Sequence, residues 1–380
     1  MDMLPRERVI AQLRIEESDI VPMGENHVHS RFIEEVLGHE ILYSKGFQEL
    51  NALWDGRRDD VVQNCVEVLT ELTKMLGWDY VRVPAAPRKK QYKRPKMTGE
   101  MSWIDEQGKE FHYNPRVGLE IAEKYNPEMT LDDLPDIDQE FVVDDSEMDY
   151  VRGVIANLKD TRFIIARLPI DGTLAYKETV GIEEYLVRMI TDPEFIKRAS
   201  AVYVKRSIAY IDAFMDAGVD AVMTTDDYAD NRGLMMGLEK FKEFILPGIE
   251  RQVNATHQKG GYFIKHTDGR VWDALDSLVG VGIDGWHGIQ PSVGMDFKRL
   301  KEKYGKRLCF LGGVNCETLI DGTPKDVEEE AKYAIRHAAP GGGFVLTSGN
   351  GVESGTSFEN YKAMMKAREE FGRYPINLIL

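Results

Sequence analysis

From about residue 150 onwards, short apolar segments alternate regularly with longer amphipathic segments. The apolar segments have the length of buried strands, and the amphipathic segments have the apolar spacing of helices. Such alternation is typical of βα units, whose strands lie parallel in one sheet. The predicted strands of this region are 163–167, 218–223, 262–265, 283–286, 308–311 and 344–346.

The first part of the chain adds further units of the same kind. Residues 5–13 and 59–76 have helical spacing, and residues 19–23 and 80–83 are strand-like. Seven or eight units in one chain favour an α/β fold of the (β/α)8 TIM-barrel type with an N-terminal helical extension, as a single domain over residues 1–380. An open, doubly wound sheet is the alternative, but no GxGxxG motif follows the first strand.

Residues 97–113 interrupt the alternation. Two strand-like segments flank a turn that contains Gly108, which predicts a β-hairpin inserted between barrel units. Just before the hairpin, residues 82–96 hold seven Lys or Arg and no acidic residue. This basic run is either a solvated loop or a docking surface for an acidic partner or substrate, and both interpretations stay open.

Charge and cysteine content exclude several classes of protein. A formal net charge of −16 is the opposite of what a nucleic-acid-binding protein needs. The three cysteines cannot all pair and none forms a CxxC, which favours a reducing cytoplasm. The charged N-terminus has no apolar signal segment, and no apolar run has the length of a membrane span. We expect a cytoplasmic protein without nucleic-acid or membrane partners, with a homodimer as one option for its assembly.

In a parallel barrel, functional side chains gather at the carboxyl ends of the strands. Ionisable and polar side chains follow nearly every predicted strand here, and four of the eight histidines lie at such positions. Each of these residues alone has a structural explanation, but together they predict one site. They are Glu25, Asn26, His27, His29, Asp226, Asp227, Tyr228, His266, Asp268, His287, Gln290, Cys316 and Asn350.

Three of these residues offer the nitrogen, carboxylate and thiolate ligands that zinc prefers in catalytic sites. His266 and Asp268 are two residues apart and can face a common ion, and Cys316 follows a strand further along the chain. Cys316 is otherwise a small filler near the start of a helix. The acidic pair Asp226 and Asp227 can hold a cation, act as a base, orient a histidine or cap the next helix.

A series of short motifs carries a specific resemblance. They are RERVI at 6–10, VP at 21–22, KHTDG at 265–269, GIDG at 282–285, IQP at 289–291, YGKRL at 304–308, GGV at 312–314, GTP at 322–324 and APGGGF at 339–344. In this order the motifs resemble the uroporphyrinogen decarboxylase superfamily, over nearly the whole chain, and the resemblance implies a (β/α)8 barrel.

Two branches of that superfamily carry out different reactions. Uroporphyrinogen decarboxylases have an arginine-rich motif after the first strand that binds substrate carboxylates, whereas this chain has MGENHVH at 23–29. The resemblance to the other branch implies a corrinoid-dependent methyltransferase. Many members of that branch hold zinc through a His-x-Cys pair and a distant cysteine. Here the pair consists of His266 and Asp268, and residues 348–351 are SGNG, so Cys316 is the candidate replacement.

We therefore expect a methyltransferase that moves a methyl group from a small methylated substrate to the Co(I) corrinoid of a partner protein. A methoxylated aromatic is the first candidate for the substrate. Zn²⁺ would be held by His266, Asp268 and Cys316. A cofactor-free decarboxylase and a non-catalytic small-molecule-binding barrel are the alternatives.

Other roles in this hypothesis fall to the remaining residues of the predicted site. Asp226, Asp227 or His287 would supply a proton or orient a ligand. The rings of Tyr228 and Trp286 would stack on an aromatic substrate. The full set of predicted substrate-binding residues is Glu25, Asn26, His27, Tyr228, Trp286, Gln290 and Asn350.

Overall fold

A seven-stranded parallel sheet, curled and surrounded by helices, organises the chain. The computed structural model describes residues 2–106, 108–114, 119–122 and 125–377. The strands of the described ranges are β1 (Tyr80–Val83), β2 (Lys96–Gly99), β3 (Ser102–Ile104), β4 (Glu110–Asn114), β5 (Leu119–Ala122), β6 (Phe163–Arg167), β7 (Ala221–Thr224), β8 (Tyr262–His266), β9 (Gly285–His287), β10 (Cys309–Val314) and β11 (Phe344–Ser348). The parallel sheet has the order β1-β6-β7-β8-β9-β10-β11.

Helices follow most of these strands, and Pro193 shows how the sequence divides them. Proline has no amide hydrogen and so begins a helix instead of continuing one, and the Asp192 side chain caps the new helix at the Phe195 amide. The helices are α1 (Pro5–Leu13), α2 (Ser30–Leu37), α3 (Phe47–Trp54), α4 (Arg58–Met75), α5 (Asp149–Leu158), α6 (Ile182–Thr191), α7 (Pro193–Ala217), α8 (Gly237–Lys240), α9 (Leu246–Gln258), α10 (Trp272–Gly280), α11 (Phe297–Tyr304), α12 (Cys316–Asp321), α13 (Pro324–Ala338) and α14 (Phe358–Phe371).

Helix α1 fills the amino-terminal end of the curled sheet. Its residues Val9 and Leu13 pack into the apolar cluster formed by alternate side chains of the parallel strands. Arg6 pairs with Asp220 at 2.7 Å and Arg8 with Asp79 at 3.1 Å, each acid lying near the start of a strand. The strand members of this cluster, which we call the inner cluster, are Tyr80, Phe163, Ile165, Ala221, Met223, Ile264, Cys309, Leu311 and Val345.

The predicted first strand, 19–23, forms isolated bridges and no ladder, which corrects its assignment as a strand. It lies between the two edge strands of the sheet. The amide of Leu346 in β11 donates to the Pro22 carbonyl at 2.9 Å, and the amide of Asp79, next to β1, donates to the Met23 carbonyl at 2.7 Å. Pro22 has no amide hydrogen to give to a ladder. The predicted α/β fold with a helix-covered parallel sheet and an N-terminal helix is confirmed.

The predicted hairpin is part of a larger insertion. Strands β2 to β5 form a separate antiparallel sheet, and the stacked rings of Trp103 and Phe111 join β3 to β4 with centroids 5.6 Å apart. In the basic run, Arg88 pairs with Glu147 at 3.1 Å and Arg94 with Asp55 at 2.9 Å. These ion pairs favour the solvated-loop interpretation of that run. No helix in the described ranges combines the length and apolar character needed to cross a membrane. The single-domain organisation stays a prediction.

Candidate active site

The inward-facing side chains of the parallel sheet change from apolar to polar towards the carboxyl ends of the strands. Successive inward positions on a strand are two residues apart. On each strand, the next inward position lies two residues beyond the inner cluster, or, on β9, two residues beyond the inward-facing Gly285. The side chains at these positions are polar, except on β10, where the residue is a glycine. These positions are Arg82, Arg167, Thr225, His266, His287, Gly313 and Thr347. The sheet therefore presents a polar layer where parallel barrels place their sites.

His266 and His287 form the centre of this layer. Their Nδ1 atoms lie 2.7 Å apart, and their ring centroids are separated by 4.9 Å. Burial, followed by the charges of Lys265, Arg82 and Arg167, lowers the pKa of His266 to about 3. Burial and His266 also lower the pKa of His287. Both rings are therefore neutral near pH 7, and one Nδ1–H donates to the lone pair of the other Nδ1.

Two carboxylates face the other nitrogen of His266. Its Nε2 lies 3.8 Å from Oδ1 of Asp227 and 3.8 Å from Oδ1 of Asp268. The Asp268 amide donates to Asp227 Oδ1 at 3.0 Å, and Asn350 Nδ2 donates to Asp268 Oδ2 at 2.7 Å. Potential ligand atoms of Asp227, His266 and Asp268 lie within 4.8 Å of one another.

This group of three fits a divalent cation. A neutral imidazole and two carboxylates are ligands that zinc accepts. Oδ1 of Asp268 is buried and has no hydrogen-bond partner among the described residues. Burial, followed by the charges of Asp227, Glu353 and Glu317, raises the pKa of Asp268 to about 8. A cation between the carboxylates would relieve that repulsion.

Cys316 lies outside this group, although His266 and Asp268 lie together as predicted. The Cys316 thiol donates to the Gly351 carbonyl at 3.3 Å, and burial raises its pKa to about 11. Asp227 occupies the place that the sequence analysis gave to the thiolate. The resulting set of candidate ligands contains nitrogen and oxygen and no sulfur.

The two residues of the acidic pair, Asp226 and Asp227, lie in different environments. Asp227 is exposed beside His266, whereas Asp226 is buried, and its amide donates to Asp171 Oδ2 at 3.2 Å. Asp171 also accepts from the fully buried Lys265 at 2.6 Å. Burial and the neighbouring Asp171 raise the pKa of Asp226 well above its usual value, which favours the protonated form of its carboxyl.

The two predicted stacking rings are buried in packing. Tyr228 and Trp286 have no exposed surface. The Tyr228 hydroxyl lies 2.6 Å from Thr173 Oγ1, and the ammonium of Lys265 lies 4.5 Å from the Tyr228 ring centroid. Trp286 Nε1 donates to the Thr267 carbonyl at 3.1 Å. The two rings pack against Lys265 and Thr267, the neighbours of His266, and neither offers a face to a substrate in this structure.

The remaining predicted substrate-binding residues join neighbouring loops at the same end of the sheet. Gln290 Oε1 accepts from the Gly269 amide at 2.8 Å, and Asn26 Nδ2 donates to the Asn350 carbonyl at 3.2 Å. Glu25 accepts from the Ser348 hydroxyl at 2.6 Å, and burial raises its pKa to about 7. A substrate-binding role for these residues stays a prediction.

Arg82 and Arg167 were missed as site residues. Both keep part of their surface exposed at the carboxyl end of the sheet, and their charges, after burial, help to lower the pKa of His27 to about 3. The sequence of β1 indicates the position of Arg82, because Tyr80 and Arg82 alternate with two valines. This alternation places Arg82 on the inward side of the strand, together with Tyr80.

Comparisons with known proteins agree with this architecture. A model of the family described as uroporphyrinogen decarboxylase (URO-D) matches residues 117–371. The chain is 26% identical over 203 residues to the methylcobamide:CoM methyltransferase MtaA of Methanosarcina barkeri, a match that covers 52% of the chain and 56% of that protein. It is also 26% identical over 274 residues to the uroporphyrinogen decarboxylase of Methylobacillus flagellatus, covering 66% of the chain and 73% of that protein.

A solved structure shares the fold over almost its whole length. The methyltransferase from Methanosarcina mazei superposes with a TM-score of 0.72 and 20% sequence identity, covering 97% of this chain and 99% of that one. At this identity the likeness concerns the fold. The matched family model covers well over half of the chain. The chain belongs to the uroporphyrinogen decarboxylase family.

Proposed function

We propose that the chain is a corrinoid-dependent methyltransferase, which moves a methyl group from a small methylated substrate to the Co(I) corrinoid of a partner protein. The observation that carries the proposal is the group of Asp227, His266 and Asp268 at the carboxyl ends of β7 and β8. The similarity to MtaA supports the choice of reaction, although the chain spans little more than half of that relative. The cytoplasmic location and a homodimer stay predictions.

The residues present suit a zinc ion held by Asp227, His266 and Asp268. If Nε2 of His266 faces the ion, its proton sits on Nδ1 and is donated to His287, which fixes the orientation of the ring. Asn350 binds one oxygen of Asp268 and leaves the other for the ion. Bound zinc would polarise the substrate atom that carries the methyl group.

A methoxylated aromatic stays our first candidate for the methyl donor. A ligand set of nitrogen and oxygen suits work on an ether oxygen better than activation of a thiol, which favours thiolate ligands. The methyl carbon would exchange its bond to oxygen for a bond to cobalt, whose electron pair forms the new bond. The pair of the broken bond stays on the leaving oxygen, which then takes a proton. The protonated carboxyl of Asp226 is our candidate donor of that proton.

The test is methyl transfer by purified, zinc-loaded protein. The protein is mixed with a Co(I) corrinoid protein and, in separate reactions, methoxylated aromatics, methylamines and methyl thioethers, and methyl-cobalt formation is followed by absorbance. We expect transfer from an ether, and loss of transfer in Asp227→Asn. Asp216→Asn is the matched control, because Asp216 is exposed near the end of α7, before β7 begins, and pairs with Lys259 at 2.7 Å. Absence of transfer from all three classes would refute the proposal.

A decarboxylase is the second candidate, and one observation favours it. Arg82 and Arg167 give the site two cations that can bind substrate carboxylates. Such an enzyme would release CO2 from a carboxylated substrate without added metal. CO2 release that persists in the Asp227→Asn variant and after chelation would favour this reaction over methyl transfer.

A further inference from the structure

Arg82 and Arg167 are partly exposed, and they differ from the two buried arginines of the described residues, Arg58 and Arg368, in having no carboxylate partner. Arg58 pairs with Asp149 at 2.7 Å, and Arg368 pairs with Asp79 at 2.9 Å. Within the described ranges, neither Arg82 nor Arg167 makes an ion pair. Nε of Arg82 is buried and lacks any hydrogen-bond partner there. Since an unpaired buried charge is costly, this arrangement requires an explanation.

The side chains of Arg82 and Arg167 extend into the same region of the structure. They extend inward from the adjacent strands β1 and β6, where Arg82 lies opposite Ile165 and Arg167 is two residues further along. Arg82 lines a small cavity with His27 and Tyr43. Burial, followed by the charge of Arg167, lowers the pKa of Arg82 to about 10, so both guanidinium groups are charged at neutral pH and repel each other.

Among the described residues, no carboxylate lies at ion-pair distance from either guanidinium group, and Glu25, which lines the cavity of Arg82, accepts from Ser348 instead. Asp226 acts on Arg167 from beyond ion-pair distance. The site therefore carries two positive charges that an anion can compensate.

We propose that Arg82 and Arg167 bind a carboxylate of the small substrate, so that the methyl donor is a methylated carboxylic acid. The inference rests on the proposed function and names the substrate class of that site. Guanidinium groups bind carboxylates through paired N–H donors, which also orient the ligand. Strand β7 alone separates β6 from β8, so Arg167 and His266 start from strands roughly 10 Å apart by ordinary strand spacing. A substrate with one ring or a short chain between its carboxylate and its methylated atom would bridge that distance.

The proposal is tested by binding, without cobalt and without turnover. Carboxylates and their uncharged amides are compared as pairs, including 4-methoxybenzoate with 4-methoxybenzamide and methoxyacetate with methoxyacetamide, by calorimetry and thermal shift on the whole protein. We expect at least one acid to bind the wild type roughly tenfold or more tightly than its amide. Arg82→Gln and Arg167→Gln should each remove that preference, and Arg88→Gln, in the basic run, should keep it.

Further measurements separate the remaining outcomes. Arg82→Lys keeps the charge and loses the paired donors, so it should retain part of the preference for the acid over its amide. Circular dichroism identifies any variant that fails to fold. If no acid in the panel binds better than its amide, the proposal is overturned. It is also overturned if only inorganic phosphate binds through these arginines, which would indicate the phosphate of a corrinoid. Because binding is measured without methyl transfer, failure of the transfer assay alone leaves this result standing.

Discussion

Nδ1 of His287 lies 2.7 Å from Nδ1 of His266, so the two neutral rings share a single proton along that line. Nε2 of His266 has a free lone pair on the side of Asp227 and Asp268 only in the tautomer whose proton is on Nδ1. His287 is thus a positioning residue for the candidate metal ligand. Its own Nε2 is buried and without a partner in the described part of the chain.

Replacing His287 should weaken zinc binding without removing a ligand. We expect His287→Ala to lower zinc affinity by roughly 10- to 100-fold, because the proton acceptor of His266 Nδ1 is lost. Competition with a chelator of known affinity measures this change. His39→Gln, at an exposed histidine, is the control. Equal zinc affinity in the His287→Ala variant and the wild type would show that this contact does not orient His266.

The ligand set predicts opposite outcomes for two substitutions. Asp227→Asn should lower the zinc content of purified protein well below one ion per chain, because it removes one of the two carboxylates. Cys316→Ser should leave the zinc content unchanged, since its thiol donates to the Gly351 carbonyl. Elemental analysis after dialysis measures both. The reverse pattern would restore Cys316 as the ligand.

The buried pair of Lys265 and Asp171 should be important for stability. Lys265→Met leaves a buried carboxylate without its partner at 2.6 Å, which we expect to cost about 3 to 5 kcal/mol. Urea denaturation measures the loss. Lys259→Met breaks the exposed pair with Asp216 and should change stability little. If both variants unfold at the same urea concentration, the buried pair contributes no more than a surface pair.

Glu25 should make the protein less stable as the pH rises from about 4.5 to about 7. Burial raises its pKa from 4.5 to about 7, so in this window the folded state holds a proton that the unfolded state has lost. The stabilisation is complete below the lower value and is lost as the pH passes the higher one, by about 3 kcal/mol in total.

Glu25→Gln removes this titration. Thermal unfolding between pH 4 and 8 should therefore show a flatter pH dependence for Glu25→Gln than for the wild type. Glu100→Gln, at an exposed glutamate, should follow the wild type. Parallel curves for the wild type and Glu25→Gln would mean that Glu25 does not titrate in this range.

Much of the fold follows from local patterns in the sequence. The bounds of α1 and β1 agree with the prediction, because Pro5 begins α1 and Gly77, at a positive φ, ends α4 shortly before β1. The segment at 19–23 has the apolar content of a strand, yet its pairing depends on how the two edge strands approach each other. That approach is set by the whole sheet, and local sequence carries no record of it.

The candidate site was predictable where a side chain directly follows a buried strand. His266 and Asp268 satisfy that condition, and they lie together. Cys316 was grouped with them by ligand chemistry, but the direction of its side chain depends on the Gly351 loop. Arg82 was counted within a basic run of the sequence, and the period of two on β1 would have assigned it to the interior.

The position of α1 has a consequence for the kinetics of the proposed reaction. Because α1 fills the amino-terminal end of the sheet, the substrate and the corrinoid protein would both use the carboxyl-terminal opening. A bound corrinoid protein would enclose any small molecule already in the opening. The small molecule must then arrive first and its demethylated product must leave last, which is a compulsory order of addition. An excess of corrinoid protein should act as a dead-end inhibitor that rising substrate relieves.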